Sequence, residues 1–104
     1  MGLDYALDEL YASGWTDLDS AGCGHHTDGR GYPKIDRVRD EFAAAGYTFS
    51  IRRVDLFKCF RAEWVGSDGQ IKGAVVSHND TDAAVYALAR FRRQQAPAAV
   101  AAAV

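Results

Sequence analysis

Residues 32–95 read YPKIDRVRDEFAAAG (32–46), YTFSIRRV (47–54), DL (55–56), FKCFRAEWV (57–65), GSDGQ (66–70), IKGAVVS (71–77) and HNDTDAAVYALARFRRQQ (78–95). Hydrophobic spacing assigns the pieces in turn. In the first, Ile35, Val38, Phe42 and Ala45 recur at helical intervals behind Pro33, which suits a first helical turn because its missing N–H is not needed there. Gly46 stops that helix. Tyr47, Phe49 and Ile51 then alternate with Thr48, Ser50 and Arg52, as in a half-buried strand. Phe60, Ala62 and Trp64 alternate with Cys59, Arg61 and Glu63 in a second strand, and Ile71 to Ser77 forms a third. The Asp68-Gly69 pair predicts a hairpin with the positive φ angles of a primed turn. Asn79, three residues ahead of Asp82, predicts a capping box for a last helix whose stripe is Ala84, Leu88 and Phe91. Arg90, Arg92 and Arg93 fall in its last turns, where positive charge is favourable. The order helix, strand, strand, strand, helix predicts an α+β domain with a three-stranded antiparallel sheet packed against two helices.

Outward from that unit, residues 3–13 predict one more helix, with Leu3, Ala6, Leu7, Leu10 and Tyr11 on one face and Asp4, Asp8 and Glu9 on the other. Gly14 ends it. Residues 15–31 read as an irregular, glycine-rich loop, and a loop of that length in a compact domain is a place to look for function. Residues 96–104, almost all alanine and valine, read as a disordered tail after Pro97. The whole of 1–95 is expected to be one domain.

The chain has 104 residues, 48% of them apolar and 25% charged. That is ordinary globular usage, large enough for a core without staples, with a stability on the order of 5–10 kcal/mol. The net charge of −2 hides an asymmetry. Six acids and one base fall in residues 1–31, against eleven bases and eight acids in 32–95. The acidic front is placed to lie against the basic remainder. Cys23 and Cys59 are too few for a disulfide framework, and no secretory signal or bilayer-length apolar run is visible, so the expectation is a cytoplasmic protein with free thiols.

The element order over residues 32–95 resembles the double-stranded RNA-binding-domain superfold. That family reads RNA with a basic cluster opening its last helix, where this chain has Asn79-Asp80-Thr81-Asp82. The family also carries a glycine-proline-x-histidine loop between the first two strands, where this chain has Arg53-Val54-Asp55-Leu56. The resemblance implies the fold and argues against that mode of RNA binding, since carboxylates repel phosphate. The Gly46-Tyr47 junction is also similar to small phage-type αβ sandwich domains of unknown role.

No catalytic signature lies on this frame. Cys23-Gly24-His25-His26 offers thiolate and imidazole, which are zinc ligands, with His78, Asp28 or Cys59 to complete a set. The same residues could pair a nucleophile with a base, although no third, orienting group is visible. The carboxylate pairs Asp17/Asp19 and Asp80/Asp82 read as a solvated loop and a helix cap. Arg52, Arg61 and Lys72 are expected on the sheet face away from the helices, where cations could hold phosphates. Tyr11, Trp15 and Tyr32 are candidate interface aromatics; alternatively, the first helix and Trp15 cover the sheet's bare face. The leading expectation is a non-enzymatic interaction module with a protein or self partner and no bound cofactor. Nucleic-acid binding and a zinc or thiol function in the Cys23–His26 loop are the alternatives.

Overall fold

The computed structural model describes residues 2–16 and 22–103, with side chains described through Gln94. The Asp17/Asp19 pair lies outside the described residues. The architecture is α+β: α1 (Leu3–Ala12), β1 (Cys23–His25), β2 (Gly31–Pro33), α2 (Ile35–Ala44), β3 (Thr48–Val54), a 3-10 turn (Asp55–Phe57), β4 (Cys59–Val65), β5 (Ile71–Ser77) and α3 (Asp80–Ala103). Strands β3-β4-β5 form one antiparallel sheet in that order, and β1-β2 form a second, two-stranded one.

Cross-strand partners share a face of a sheet. One face of the larger sheet carries Phe49–Trp64–Gly73, Ile51–Ala62–Val75 and Arg53–Phe60–Ser77. Helices α2 and α3 pack there. Val38 and Phe42 of α2, with Ala84, Val85, Leu88 and Phe91 of α3, close a core around Trp64. Phe42 is its hub. The ring stacks on Phe49 at 5.0 Å and lies 4.7 Å from Phe91 and 5.4 Å from Trp64, centroid to centroid. Such offset and tilted pairs add to plain area burial.

Helix α1 does not cover the other sheet face. Its Ala6, Leu7 and Leu10 are buried against α3 instead. Glu9 pairs with Arg93, and Arg92 Nε donates to Ser13 Oγ at 2.9 Å, so the first helix is tied to the last. The reason is the breadth of α3's apolar surface. Residues Ala83 to Ala89 are all buried except half-buried Tyr86, too many for the sheet alone to cover.

The stretch expected to be irregular contains a β-hairpin. Its turn and the β4–β5 turn use the same chemistry. His26 N–H donates to Arg30 O and Gly29 N–H to His26 O; Gly66 N–H donates to Gln70 O and Gly69 N–H to Gly66 O. Asp28 and Asp68 each accept the backbone N–H two residues on, both at 3.0 Å. Gly29 (φ +91°) and Gly69 (φ +79°) supply the left-handed residue. These are three-residue loops, a type I turn followed by a left-handed glycine. They are not the primed two-residue turn expected from Asp68-Gly69, because Asp68 keeps a negative φ. Each hairpin also sets a glycine opposite an aromatic, Gly24 across from Tyr32 and Gly73 across from Trp64, with the ring lying over the glycine.

Pro33 consequently ends β2 rather than opening α2, which starts at Ile35 behind Lys34. The Asn79 cap is present: Asp82 N–H donates to Asn79 Oδ1 at 2.8 Å. Helix α3 runs to Ala103, through Pro97. Alanine, the strongest helix former, flanks Pro97, which as an interior proline cannot donate to the carbonyl four residues back.

Candidate functional site

The second face of the β3-β4-β5 sheet carries rows Arg52–Arg61–Val76, Ser50–Glu63–Ala74 and Thr48–Val65–Ile71, with Val54–Cys59 at one end. Among the described residues no helix packs on it. Its cations are partly spoken for. Arg61 Nε lies 3.4 Å from Glu63 Oε2 along the same strand. Lys72 is the extra residue of a β-bulge, because the register jumps from Trp64–Gly73 to Val65–Ile71. Its Nζ lies 2.9 Å from Asp68 Oδ2, which with the Gln70 N–H holds the Asp68 carboxyl below its ordinary pKa. Lys72 therefore buttresses the turn, and Arg52 beside Arg61 is what remains of the expected cationic trio.

Between these polar groups the face is apolar. Ile71 is 56% and Val76 48% exposed, and at the sheet's end the 3-10 turn exposes Leu56 (84%) and Phe57 (71%). Single exposed apolar residues are unremarkable, and it is contiguous apolar patches that mark contact surfaces. Of these four, only Phe57 stands out in the sequence, as one of more aromatics than a small core must bury. Ile71 and Val76 sit at opposite parities of the simple alternation because the bulge at Lys72 shifts the count, and only the register puts them on one face.

The Cys23–His26 segment is divided. Strand β1 takes Cys23 to His25, and the chain turns at His26. Cys23 is half-buried and accepts from Arg37 Nη1 at 3.9 Å; Cys59 lies buried on β4; both thiols are free. His25 is exposed, as is His78 beyond β5. His26 meets Asp4 of α1 instead. Among the described residues, Asp4, His26 and Asp28 are the one group of three possible ligands, with donor atoms within 4.8 Å of one another. An oxygen–nitrogen set of this kind suits a borderline divalent cation. Every member already has a partner, however. His26 and Asp4 engage each other, and Arg30 holds Asp28 at 2.8 Å and Asp8 at 2.7 Å. The Arg30 N–H and guanidinium keep the Asp28 carboxyl below its ordinary pKa, and Asp8 and Asp28 in turn raise that of Arg30.

These contacts form a polar latch. Asp4, Asp8 and Tyr11 lie along one face of α1, and Tyr11 donates to Gly31 O at 2.8 Å. The acidic face thus grips the small hairpin while the leucine face grips α3. The charged partners in this latch all lie within residues 1–31, and the acidic front meets the basic remainder instead where Glu9 pairs with Arg93.

Trp15 is 4% exposed, its indole N–H donating to Glu41 Oε2 at 3.0 Å; Glu41 also pairs with Arg37 at 2.9 Å. Tyr11 meets Trp15 edge-on, and Tyr32 covers Gly24. The three candidate interface aromatics are therefore employed inside the domain. Among the described residues, one open hollow is lined by Tyr32, Lys34, Ile35, Asp36 and Thr81 and another by residues around Gly46 and Asp68. No helix among the described residues is long and apolar enough to cross a membrane.

No protein-family model, curated protein or solved structure matches this chain.

Proposed function

We propose that the protein is a small non-enzymatic interaction module that binds a protein partner through the open face of the β3-β4-β5 sheet. The observation that carries this is the half-covered sheet, with Ile71 and Val76 exposed on it and Leu56 and Phe57 at its end. An apolar patch beside a few charges is the composition of a protein contact, where an apolar centre is rimmed by polar groups. A phosphate-binding face would need cations free of carboxylates. Here Arg61 has Glu63, and Lys72 has Asp68. The αβββα order and its likeness to RNA-binding domains support the scaffold, and the acidic opening of α3 supports a different use of it.

A photoreactive phenylalanine placed at Ile71 or Val76 tests this directly. In an extract of the source cells it should form discrete protein adducts, while the same group at exposed Asp40 on α2 should not. Equal yields at the two faces would refute the reading. Anisotropy titrations with duplex RNA, duplex DNA and single strands should show no salt-sensitive binding. Tight binding that weakens steeply with salt would favour nucleic acid instead.

A further inference from the structure

We infer that the chain also meets a second copy of itself at the β5 edge bordering this face, by antiparallel pairing of β5 with β5 to make one six-stranded sheet; the inference goes beyond the open-face reading above, because edge pairing leaves the face itself open. The larger sheet has two edges, β3 and β5, and among the described residues no strand pairs with the outer edge of either. Such edges carry unsatisfied backbone donors and acceptors and are normally guarded by charge, proline or a bulge. Strand β3 is guarded, since Arg52 and Arg53 are both exposed on it. Strand β5 is guarded only at its start, where Lys72 makes the bulge. Beyond it, Gly73-Ala74-Val75-Val76-Ser77 has no charge, no proline and no irregularity.

Self-pairing also fits the side chains. A two-fold axis at Val75 sets Ala74 opposite Val76 of the second copy and Val76 opposite Ala74, all on the open face. An isologous contact must be self-complementary in this way. The uncharged run meets only itself, and each half-exposed Val76 packs on Ala74 of the other copy across the seam. Pairing through β3 would instead bring two exposed arginine pairs together, which like-charge repulsion opposes. The joined strands are short, so the association is a weak one in the range of transient interfaces.

Sedimentation velocity of the full chain, from low to high micromolar concentration, should show a concentration-dependent dimer. Ala74→Lys/Val76→Lys places lysine opposite lysine twice and should weaken dimerisation by at least about tenfold. Ala74→Glu/Val76→Glu should do the same alone, and an equimolar mixture of the two double variants should recover a heterodimer. Far-UV circular dichroism checks that each variant is folded, and recovery on mixing cannot come from unfolded chains. A strictly monomeric wild type, a double-lysine variant that dimerises like wild type, or a mixture that stays monomeric would overturn the inference. Photoadducts from Val76 that contain other proteins but never the chain itself would overturn it while leaving the open-face reading standing. The absence of any adduct above the Asp40 control would remove that reading as well.

Discussion

Gly73→Ala should cost stability, although alanine is ordinarily the better residue in an extended strand. The Gly73 backbone lies outside the left-handed region, so no conformational demand requires glycine there. Taken alone, losing glycine's freedom in the unfolded chain would then stabilise by about 0.4–1 kcal/mol. The opposing term comes from Trp64. A Cβ on residue 73 would stand 2.1 Å from indole Cζ2, 2.6 Å from Cε2 and 2.8 Å from Cη2. The ring cannot retreat, because Trp64 is fully buried with Phe42 5.4 Å and Phe91 6.3 Å away. Overpacking of this kind costs about 1–3 kcal/mol, and contact with three ring atoms puts it at the upper end. The net is a loss of about 2 kcal/mol, or a fall of about 8 °C in Tm for a domain of this size. Urea unfolding followed by far-UV circular dichroism measures it. Repeating the substitution in a Trp64→Leu background isolates the contact, since without the indole the alanine should be neutral or stabilising. A Gly73→Ala protein as stable as wild type, or the same loss in both backgrounds, would refute the reasoning.

Phe42→Ala removes the ring on which three other aromatics converge and should cost about 3–5 kcal/mol, read as a large fall in the urea midpoint. Gly29→Ala and Gly69→Ala should each cost about 1 kcal/mol, because both force a left-handed alanine in the same kind of turn; a cost at one site only, in thermal melts, would show the turns are not equivalent. Burial raises the Asp82 carboxyl above its ordinary value of 3.8. A raised folded pKa means that Asp82 favours the folded state below the unfolded value and loses that contribution as pH rises through the folded one. Asp82→Asn should therefore cost more at pH below 3.8 than at pH 7, as read from urea midpoints; a difference of the opposite sign would contradict the burial.

Periodicity and turn chemistry made most of the scaffold legible. The alternation around Phe60, Ala62 and Trp64 located a central strand, Ile71 to Ser77 matched β5 residue for residue, and Asn79 marked the cap. The small hairpin escaped because its strands are three residues each, too short for alternation to register. The usable signal was Thr27-Asp28-Gly29, which repeats the chemistry of Ser67-Asp68-Gly69. Where α1 docks could not be read, since an amphipathic face states what it buries and not against what. Alternation puts Arg52 and Arg61 on the face away from α2 and α3, whereas the bulge that turns Lys72 toward Asp68 leaves no mark in the alternation. The Cys23–His26 cluster looked concentrated in one dimension, and a strand followed by a tight turn dispersed it.

The tie between α1 and α3 joins distant parts of the chain. Glu9 meets Arg93 across 84 positions of chain, and Ser13 meets Arg92 across 79. As the polypeptide is synthesised, the opening helix therefore has nowhere to bury its leucines until the closing helix has been made. The meander of β3, β4 and β5 pairs only neighbouring segments and closes much shorter loops, so loop-closure entropy opposes that pairing less than it opposes the α1–α3 contact.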